Sequence, residues 1–264
     1  MKITTKTLIK MKNRGEKITS LTAYEALFAS YLDEIGIDFI LVGDSVGMIF
    51  AGQDTTLPVT MDEMIYHTRA VKRSIKNALL VADMPFMSYQ VSVEEALRNA
   101  GRLLKEAGAE AVKMEGGMRI LEQVKACVNA GIPVMGHLGM TPQSINQFGG
   151  FKTQGKSTDD AERLKQEALA LEKAGAFALV LEKIPADLAK EVSELLTIPT
   201  IGIGAGKDCD GQILVTQDML GMFEKFRPKF VRLYAEVAKT IKTALSDYAK
   251  DVKAGSFPNE EESF

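Results

Sequence analysis

The sequence predicts an α/β protein that folds as a single (β/α)8 barrel, the TIM-barrel architecture. Short runs of β-branched and apolar residues recur along the chain, and longer amphipathic segments separate them. Strands that alternate with helices in this way indicate a parallel sheet covered by helices. The length of 264 residues is close to the roughly 250 residues that one such barrel requires. A doubly wound open sheet is compatible with the same pattern, because periodicity does not distinguish a closed sheet from an open one.

Eight of these runs are predicted to be strands, and the last has the weakest pattern. The run Phe39–Val42 is apolar at every position, which is typical of a strand buried on both faces. The predicted strands are Ile18–Thr22, Phe39–Gly43, Leu79–Asp83, Ala111–Glu115, Ile132–His137, Ala178–Glu182, Thr200–Gly204 and Gln212–Val215.

The amphipathic segments between these runs are predicted to be helices. Thr60 is a candidate N-cap, and Ser92 with Glu95 has the spacing of a capping box. A helical tail is expected after Phe230 to about Lys253, followed by an acidic loop. Because no Pro/Ser-rich linker divides the chain, residues 1–264 are expected to form one catalytic domain with this tail. The predicted helices are Met61–Lys76, Val93–Ala107, Met118–Asn129, Asp159–Ala174 and Ala186–Leu196.

Composition excludes several classes of function. The net charge is −3 and basic residues are scattered, so the chain lacks the basic patch that nucleic-acid binding requires. The N-terminal residues lack the apolar segment of a signal peptide, and no apolar run reaches the roughly 20 residues of a membrane span. We therefore expect a cytoplasmic protein without a membrane partner. Cys127 and Cys209 are far apart and have no metal-type spacing, so both are expected to be free thiols.

Ionisable residues stand where the predicted strands end. Asp44 follows the second strand, Asp83 ends the third, and Glu182 ends the sixth. Lys113 with Glu115, and His137, close the fourth and fifth strands. Active sites of β/α barrels form at these carboxyl ends. Burying several charges there without a function would cost several kcal/mol per ion unless the charges were paired or held a metal. The pattern therefore predicts one shared active site.

The carboxylates among these residues indicate a cation site. Lys113 and Glu115 are two positions apart in a strand, so their side chains should point the same way. Asp44, Asp83 and Glu115 come without a cluster of cysteine or histidine, and such oxygen ligands favour a hard cation such as Mg²⁺. Binding directly or through water is equally compatible with this pattern. His67 falls within a predicted helix, where a structural or surface role is expected.

The glycine-rich segment Gly202–Gly206 allows more than one interpretation. Barrels often bind phosphate after their seventh strand, so the segment is a candidate phosphate site. Close packing of the backbone against a substrate, or a plain tight turn, explains the glycines equally well.

Several motifs together resemble the ketopantoate hydroxymethyltransferase family. The resemblance extends over essentially the whole chain, and the combination is highly specific. The motifs are Leu41–Ser45, Thr56–Thr60, Ala82–Phe86, Val112–Gly117, Gly136–Gln143, Gly149–Lys152, Ile201–Gly206 and Pro228–Phe230.

This resemblance implies a barrel of the phosphoenolpyruvate/pyruvate type and a transferase of pantothenate biosynthesis. The implied reaction transfers a hydroxymethyl group from the co-substrate 5,10-methylenetetrahydrofolate to 2-oxoisovalerate (3-methyl-2-oxobutanoate), which gives 2-dehydropantoate. The implied partners are thus a small oxoacid and a folate. The resemblance also implies one Mg²⁺ ion per subunit and a large homo-oligomer, commonly a decamer.

The resemblance assigns roles to individual residues. It places Asp44, Asp83 and Glu115 in the Mg²⁺ site, and implies that Asp44, Ser45, Asp83 and Lys113 bind the oxoacid. Glu182 matches the proton acceptor, and His137 matches the active-site histidine.

Two positions depart from the family pattern. Lys183 follows the proposed base where a small or apolar residue is common, and strand alternation predicts that its side chain faces outward. Gln217 stands where a histidine is frequent, which weakens any metal or acid/base role for that position.

The residues themselves agree with metal-assisted enolate chemistry. A 2-oxoacid chelates a cation through its ketone and carboxylate, and the cation stabilises the enolate as charge develops. Glu182 comes from a different strand than the three proposed metal-site acids, so it is the candidate base. Lys113 is expected to offset the charge of the substrate carboxylate. The enolate then adds to the methylene carbon delivered by the folate, in an aldol-type addition.

Three other functions are compatible with parts of the same pattern. A phosphoenolpyruvate mutase or isocitrate lyase relative would use a similar Mg²⁺ and oxoacid platform, but the chain lacks the cysteine-bearing lid loop of those lyases. A sugar-phosphate enzyme would use Gly202–Gly206 to bind phosphate. A barrel protein without enzymatic activity, which only binds a ligand or assembles with other proteins, is disfavoured because the chain has all the acidic residues at the strand ends.

Overall fold

The computed structural model describes residues 2–224 and 227–264. The chain forms two compact units, Met1–Leu214 and Val215–Phe264, and each is described by itself. The prediction that residues 1–264 make up one domain stays a prediction.

The first unit is a closed barrel of eight parallel strands, each paired with the next and the last with the first. This arrangement confirms the predicted fold class and rules out the open doubly wound sheet. Observed bounds match the predicted ones for four strands and shift by one to two residues at one or both ends of the others. The strands are β1 (Ile18–Thr22), β2 (Phe39–Val42), β3 (Leu79–Asp83), β4 (Ala111–Glu115), β5 (Val134–Gly139), β6 (Ala178–Glu182), β7 (Thr200–Ile203) and β8 (Gly211–Leu214).

Apolar residues pack in two layers, one on each side of the strands. The inner layer fills the barrel and includes Phe39, Val81 and Ile201. The outer layer lies between the strands and the helices and includes Ile40 and Val112. Successive strand residues point to opposite faces, so a strand buried by both layers must be apolar throughout, as Phe39–Val42 is.

Helices of the first unit follow the strands as predicted, but most are shorter than expected. Thr60 closes a capping box with Glu63, and Ser92 accepts a hydrogen bond from the backbone of Glu95. The predicted helix Met118–Asn129 begins instead as a 3₁₀ turn, Met118–Ile120. The sequence did not predict the first three helices or α7. The helices are α1 (Thr5–Asn13), α2 (Ala26–Glu34), α3 (Val46–Ile49), α4 (Met61–Lys72), α5 (Val93–Lys105), α6 (Leu121–Asn129), α7 (Ile145–Phe148), α8 (Thr158–Lys173) and α9 (Ala186–Leu195).

The second unit carries the C-terminal helix. It contains α10 (Thr216–Met219) and α11 (Val237–Ala254), and α11 ends at Gly255 in the left-handed conformation. The helical tail therefore begins at Val237, later than the predicted start after Phe230. Within the described residues, no helix is both long enough and apolar enough to cross a bilayer.

Candidate active site

The strand ends bring the predicted site residues together inside the barrel. Asp44 follows β2, Asp83 ends β3, and Lys113 with Glu115 comes from β4. All four are at least 96% buried. His137 on β5 and Glu182 at the end of β6 complete the group. Gly43 permits this approach, because a Cβ atom there would lie 2.7 Å from Ser45 Oγ and 3.4 Å from Asp83 Oδ2.

Lys113 lies at the centre of the group. Its Nζ atom is 2.6 Å from Asp83 Oδ1 and 3.4 Å from Glu115 Oε1. The same atom lies 3.1 Å from His137 Nδ1. Lys113 and Glu115 therefore point the same way, as strand alternation predicted. Burial lowers the pKa of Lys113, but the surrounding carboxylates outweigh burial and leave that pKa raised, so the ammonium stays charged.

One lysine does not balance the carboxylates around it. Burial, and then repulsion from Asp83 and Glu115, raises the pKa of Asp44 well above its usual value. Burial also raises the pKa of Asp83, although Lys113 opposes the rise. Burial acts in the same direction on Glu115, but attraction to Lys113 and His137 lowers the pKa of that carboxyl to about 2. If all three carboxylates were ionised, the cluster would therefore hold more negative charge than Lys113 neutralises.

Three buried carboxyl groups that oppose each other's ionisation fit a divalent cation. Oxygen ligands are those that Mg²⁺ prefers, and a bound cation would let the three carboxylates ionise together. Among the described residues, no set of three or more His, Cys, Asp or Glu side chains is already arranged around a metal position. The fit therefore rests on the donor atoms and their charge rather than on preformed coordination geometry.

His137 connects this cluster with Glu182. His137 Nε2 lies 3.3 Å from Glu182 Oε2, and His137 Nδ1 lies 3.3 Å from Glu115 Oε1. Burial and Lys113 lower the pKa of His137, but Glu115 and Glu182 outweigh them, so that pKa is raised. The side chain of Glu182 is 16% exposed, whereas that of His137 is 3% exposed. Glu182 therefore borders the open side of the site.

Gln143 is a site residue that the sequence did not single out. Its backbone N–H donates to Glu115 Oε2 at 3.0 Å, and its Nε2 donates to Asp44 Oδ2 at 2.9 Å. Tyr89 donates to Gln143 Oε1 at 2.8 Å. Gln143 thus spans two of the carboxylates while its own oxygen is held by a buried hydroxyl. The sequence feature that could have identified Gln143 is its place shortly after β5, at the end of the motif Gly136–Gln143.

Tyr24 also contacts a predicted site residue. Its hydroxyl lies 2.8 Å from Ser45 Oγ, and its backbone oxygen lies 2.6 Å from His67 Nδ1. His67 is buried on α4, with the rings of Phe50 and Tyr66 packed edge-on against it at 5.0 and 5.3 Å. His67 therefore has the structural role expected from the sequence.

The remaining predicted features of the first unit lie outside the cluster. Lys183 has φ of +49°, and its ammonium donates to the backbone oxygen of Phe151. The Lys183 side chain thus makes its contact away from the carboxylates, in agreement with the prediction that it faces outward. Gln217 lies on α10 in the second unit. Cys127 and Cys209 are buried free thiols, as predicted.

Close packing explains two glycines of the segment Gly202–Gly206. A Cβ atom at Gly202 would lie 3.0 Å from Cys209 Sγ, and one at Gly206 would lie 2.6 Å from Ala186 Cβ. Gly206 also has φ of +83°, a conformation that favours glycine. Gly206 therefore fits the tight-turn interpretation, whereas Gly202, within β7, is explained by its packing against Cys209.

The fold and site define a (β/α)8 barrel with a buried ionisable cluster at its carboxyl end, and solved structures share the fold. A 2,3-dimethylmalate lyase, described as a member of the PEP mutase/isocitrate lyase superfamily, aligns with a TM-score of 0.63 and 15% identity. That alignment covers 100% of this chain and 89% of the lyase. A phosphonopyruvate hydrolase solved with oxalate and Mg²⁺ aligns with a TM-score of 0.62 and 14% identity, over 98% of this chain and 93% of the hydrolase.

Sequence comparison identifies the family. The sequence model described as ketopantoate hydroxymethyltransferase matches residues 2–260. A 3-methyl-2-oxobutanoate hydroxymethyltransferase of Syntrophus aciditrophicus is 58% identical, over 100% of this chain and 97% of the relative. The enzyme of that name from Clostridium beijerinckii is 57% identical, over 100% of this chain and 96% of the relative. The chain belongs to the ketopantoate hydroxymethyltransferase family, which confirms the resemblance.

Proposed function

We propose that this chain transfers a hydroxymethyl group from 5,10-methylenetetrahydrofolate to 2-oxoisovalerate and forms 2-dehydropantoate. One observation carries the proposal beyond family membership. Glu182 stands beside the carboxylate cluster and contacts it through His137, so a base is available next to a separate oxoacid and cation site. Enolate chemistry requires this separation, because a carboxylate engaged by a cation is a weak base.

Asp44, Asp83 and Glu115 are the residues that would hold Mg²⁺. The ion, when bound, polarises the ketone and stabilises the negative charge that develops on the oxygen. Gln143 keeps two of these carboxylates in place through its hydrogen bonds to Asp44 and Glu115. The buried surroundings strengthen each of these electrostatic interactions.

Lys113 and Ser45 bind the oxoacid in this proposal. The charged ammonium of Lys113 attracts the substrate carboxylate, and the half-buried hydroxyl of Ser45 offers a hydrogen bond. Tyr24 fixes the direction of that hydroxyl from 2.8 Å. The oxoacid is thereby oriented with C3 toward Glu182.

Glu182 removes the proton from C3, and His137 orients the Glu182 carboxylate. When His137 is neutral, Lys113 donates to its Nδ1, so the proton of the ring lies on Nε2 and faces Glu182. The C3 carbanion equivalent then forms a C–C bond to the methylene carbon of the folate. Both C–N bonds from the methylene carbon to the folate nitrogens break, and one water molecule supplies the O–H of the new hydroxyl group. The second water proton and the proton removed from C3 end on the two nitrogens, so tetrahydrofolate leaves.

A direct assay tests this function. The protein is incubated with 2-oxoisovalerate and 5,10-methylenetetrahydrofolate, with and without Mg²⁺, and 2-dehydropantoate is measured. We expect product only when both substrates are present, and much more of it with Mg²⁺. Absence of product with a folded, Mg²⁺-supplied protein would contradict the proposal. Assembly into a homo-oligomer and a cytoplasmic location stay predictions.

A further inference from the structure

The open end of the barrel has a polar side and an apolar side. Asp83, Glu115 and His137 bring charged or polar groups from β3, β4 and β5. On β7, the corresponding inward positions are Ile201 and Ile203. Glu182 on β6 stands between the two sides. An amphipathic acid fits such a site, because its carboxylate and ketone can face one side and its alkyl group the other.

The sheet register places Ile203 beside Glu182. The two residues are paired across β6 and β7, and neighbouring strands are about 4.8 Å apart. Paired residues of parallel strands point to the same face of the sheet. Because Glu182 contacts His137 inside the barrel, Ile203 also points inside. Its packing against the inner apolar layer agrees with this direction.

Among the inward apolar residues of β6 and β7, Ile203 is the one that remains accessible. Val180 and Ile201, one step lower on β6 and β7, are 3% and 0% exposed. Ile203 is only partly buried, so its outer surface borders the space next to Glu182. The residues on either side of it, Gly202 and Gly204, have no side chains to cover that surface.

The chemistry of the oxoacid places its alkyl group in the space beside Glu182 that Ile203 borders. The proton that Glu182 removes is on C3, so C3 must lie within hydrogen-bonding reach of that carboxylate. The two methyl groups of 2-oxoisovalerate are bonded to C3 and therefore lie beside Glu182 as well. Contact with His137 would desolvate a polar group, whereas contact with Ile203 buries apolar surface on both partners.

We propose that Ile203 determines the preference for an oxoacid branched at C3, by packing against the methyl groups there. This inference rests on the proposed function and adds a specificity residue to it.

Exchange of the C3 proton with deuterium, followed by NMR in D₂O with Mg²⁺ and without folate, tests the inference. The substrates are 2-oxoisovalerate, 2-oxobutanoate with one methyl group fewer, and 3-methyl-2-oxopentanoate with one methylene group more. We expect Ile203→Ala to reduce the preference for 2-oxoisovalerate over 2-oxobutanoate about tenfold. Relative exchange of 3-methyl-2-oxopentanoate should rise, because the substitution makes room, and Ile203→Val should give intermediate values.

Ile201→Val is the matched control, since Ile201 is fully buried one step below on the same strand. It should leave the ratios between the three acids unchanged. Equal losses of exchange for all three acids in Ile203→Ala would overturn the role of Ile203 and leave the proposed function standing. No exchange of any acid by the unmodified protein would overturn both.

Discussion

His137 Nε2 lies 3.3 Å from Glu182 Oε2, and the two side chains come from neighbouring strands. This proximity places Glu182 beside the histidine without making its carboxylate part of the cluster around Lys113. In the proposed reaction, the separate roles of the binding carboxylates and of the base depend on that arrangement. Carboxylates close to the lysine bind, and the carboxylate beyond the histidine accepts the proton.

Glu182→Gln should abolish proton removal while preserving the oxoacid site. The amide keeps the shape of the side chain but does not accept a proton at neutral pH. We expect exchange of the C3 proton of 2-oxoisovalerate to fall by about 10² to 10⁴ fold. Deuterium exchange by NMR measures this, and calorimetry should show oxoacid affinity within a few fold of the unmodified protein. Normal exchange in this variant would remove Glu182 as the base.

Asp83→Ala should sharply weaken Mg²⁺-dependent activity. The substitution removes a proposed ligand and leaves the buried Lys113 without its nearest carboxylate, 2.6 Å away. We expect Mg²⁺ affinity, measured by calorimetry, to fall by more than about 100-fold, beyond the range typical of supporting residues. Asp187→Ala, at an exposed position on α9, is the matched control. Unchanged metal dependence in Asp83→Ala would refute the assignment.

Gln143→Ala should lower Mg²⁺ affinity without removing any ligand. Its side-chain hydrogen bond to Asp44, at 2.9 Å, would be lost, although the backbone bond to Glu115 remains. Residues that hold metal ligands in place typically contribute 10- to 100-fold in affinity. Calorimetric titration with Mg²⁺ measures the effect directly. Gln147→Ala, exposed four residues later, should bind Mg²⁺ normally, and equal affinities for the two variants would count against a positioning role.

Asp33→Asn should reduce stability in a pH-dependent way. Asp33 accepts backbone hydrogen bonds from Lys76, Asn77 and Ala78 at 2.7 to 2.9 Å. Burial raises its pKa, but these bonds outweigh burial and hold the pKa below the ordinary 3.8. A lowered folded-state pKa stabilises the protein above the unfolded-state value, and that contribution is lost as pH falls through the folded-state value.

The expected loss in Asp33→Asn is about 2 kcal/mol of unfolding free energy at pH 7. Urea titrations at several pH values should show the difference from the unmodified protein shrinking below about pH 4. Glu34→Gln removes the same charge from an exposed neighbour on α2 and should change stability little. A difference that stays constant down to pH 2 would contradict this account.

Strand composition made most of the fold predictable. Runs such as Phe39–Val42 and Ala178–Leu181 could be buried only between two apolar layers, and helices between them required parallel pairing. Closure into a barrel could not be deduced from periodicity, since it depends on pairing between β1 and β8. The short helix α1 was missed because its apolar pattern is weak and one residue, Leu8, is buried.

The site residues were likewise predictable where a local sequence pattern marks them, and not where tertiary packing alone places them. Residues that end strands, such as Asp83 and Glu182, could be placed because strand alternation and parallel order fix their direction. Gln143 reaches the site from a 3₁₀ turn, Pro142–Ser144, after β5, and Tyr89 reaches it from an irregular segment after β3. The paths of such segments are set by tertiary packing rather than by a local repeat, so no periodic signal marks these residues.

Lys113 gives the barrel an internal cation that belongs to the chain itself. It is 97% buried and paired with Asp83 and Glu115. The strands can therefore close around the acids while the protein is still free of metal. Under the proposed function, metal loading follows folding, and a chelator should abolish activity while leaving the barrel intact.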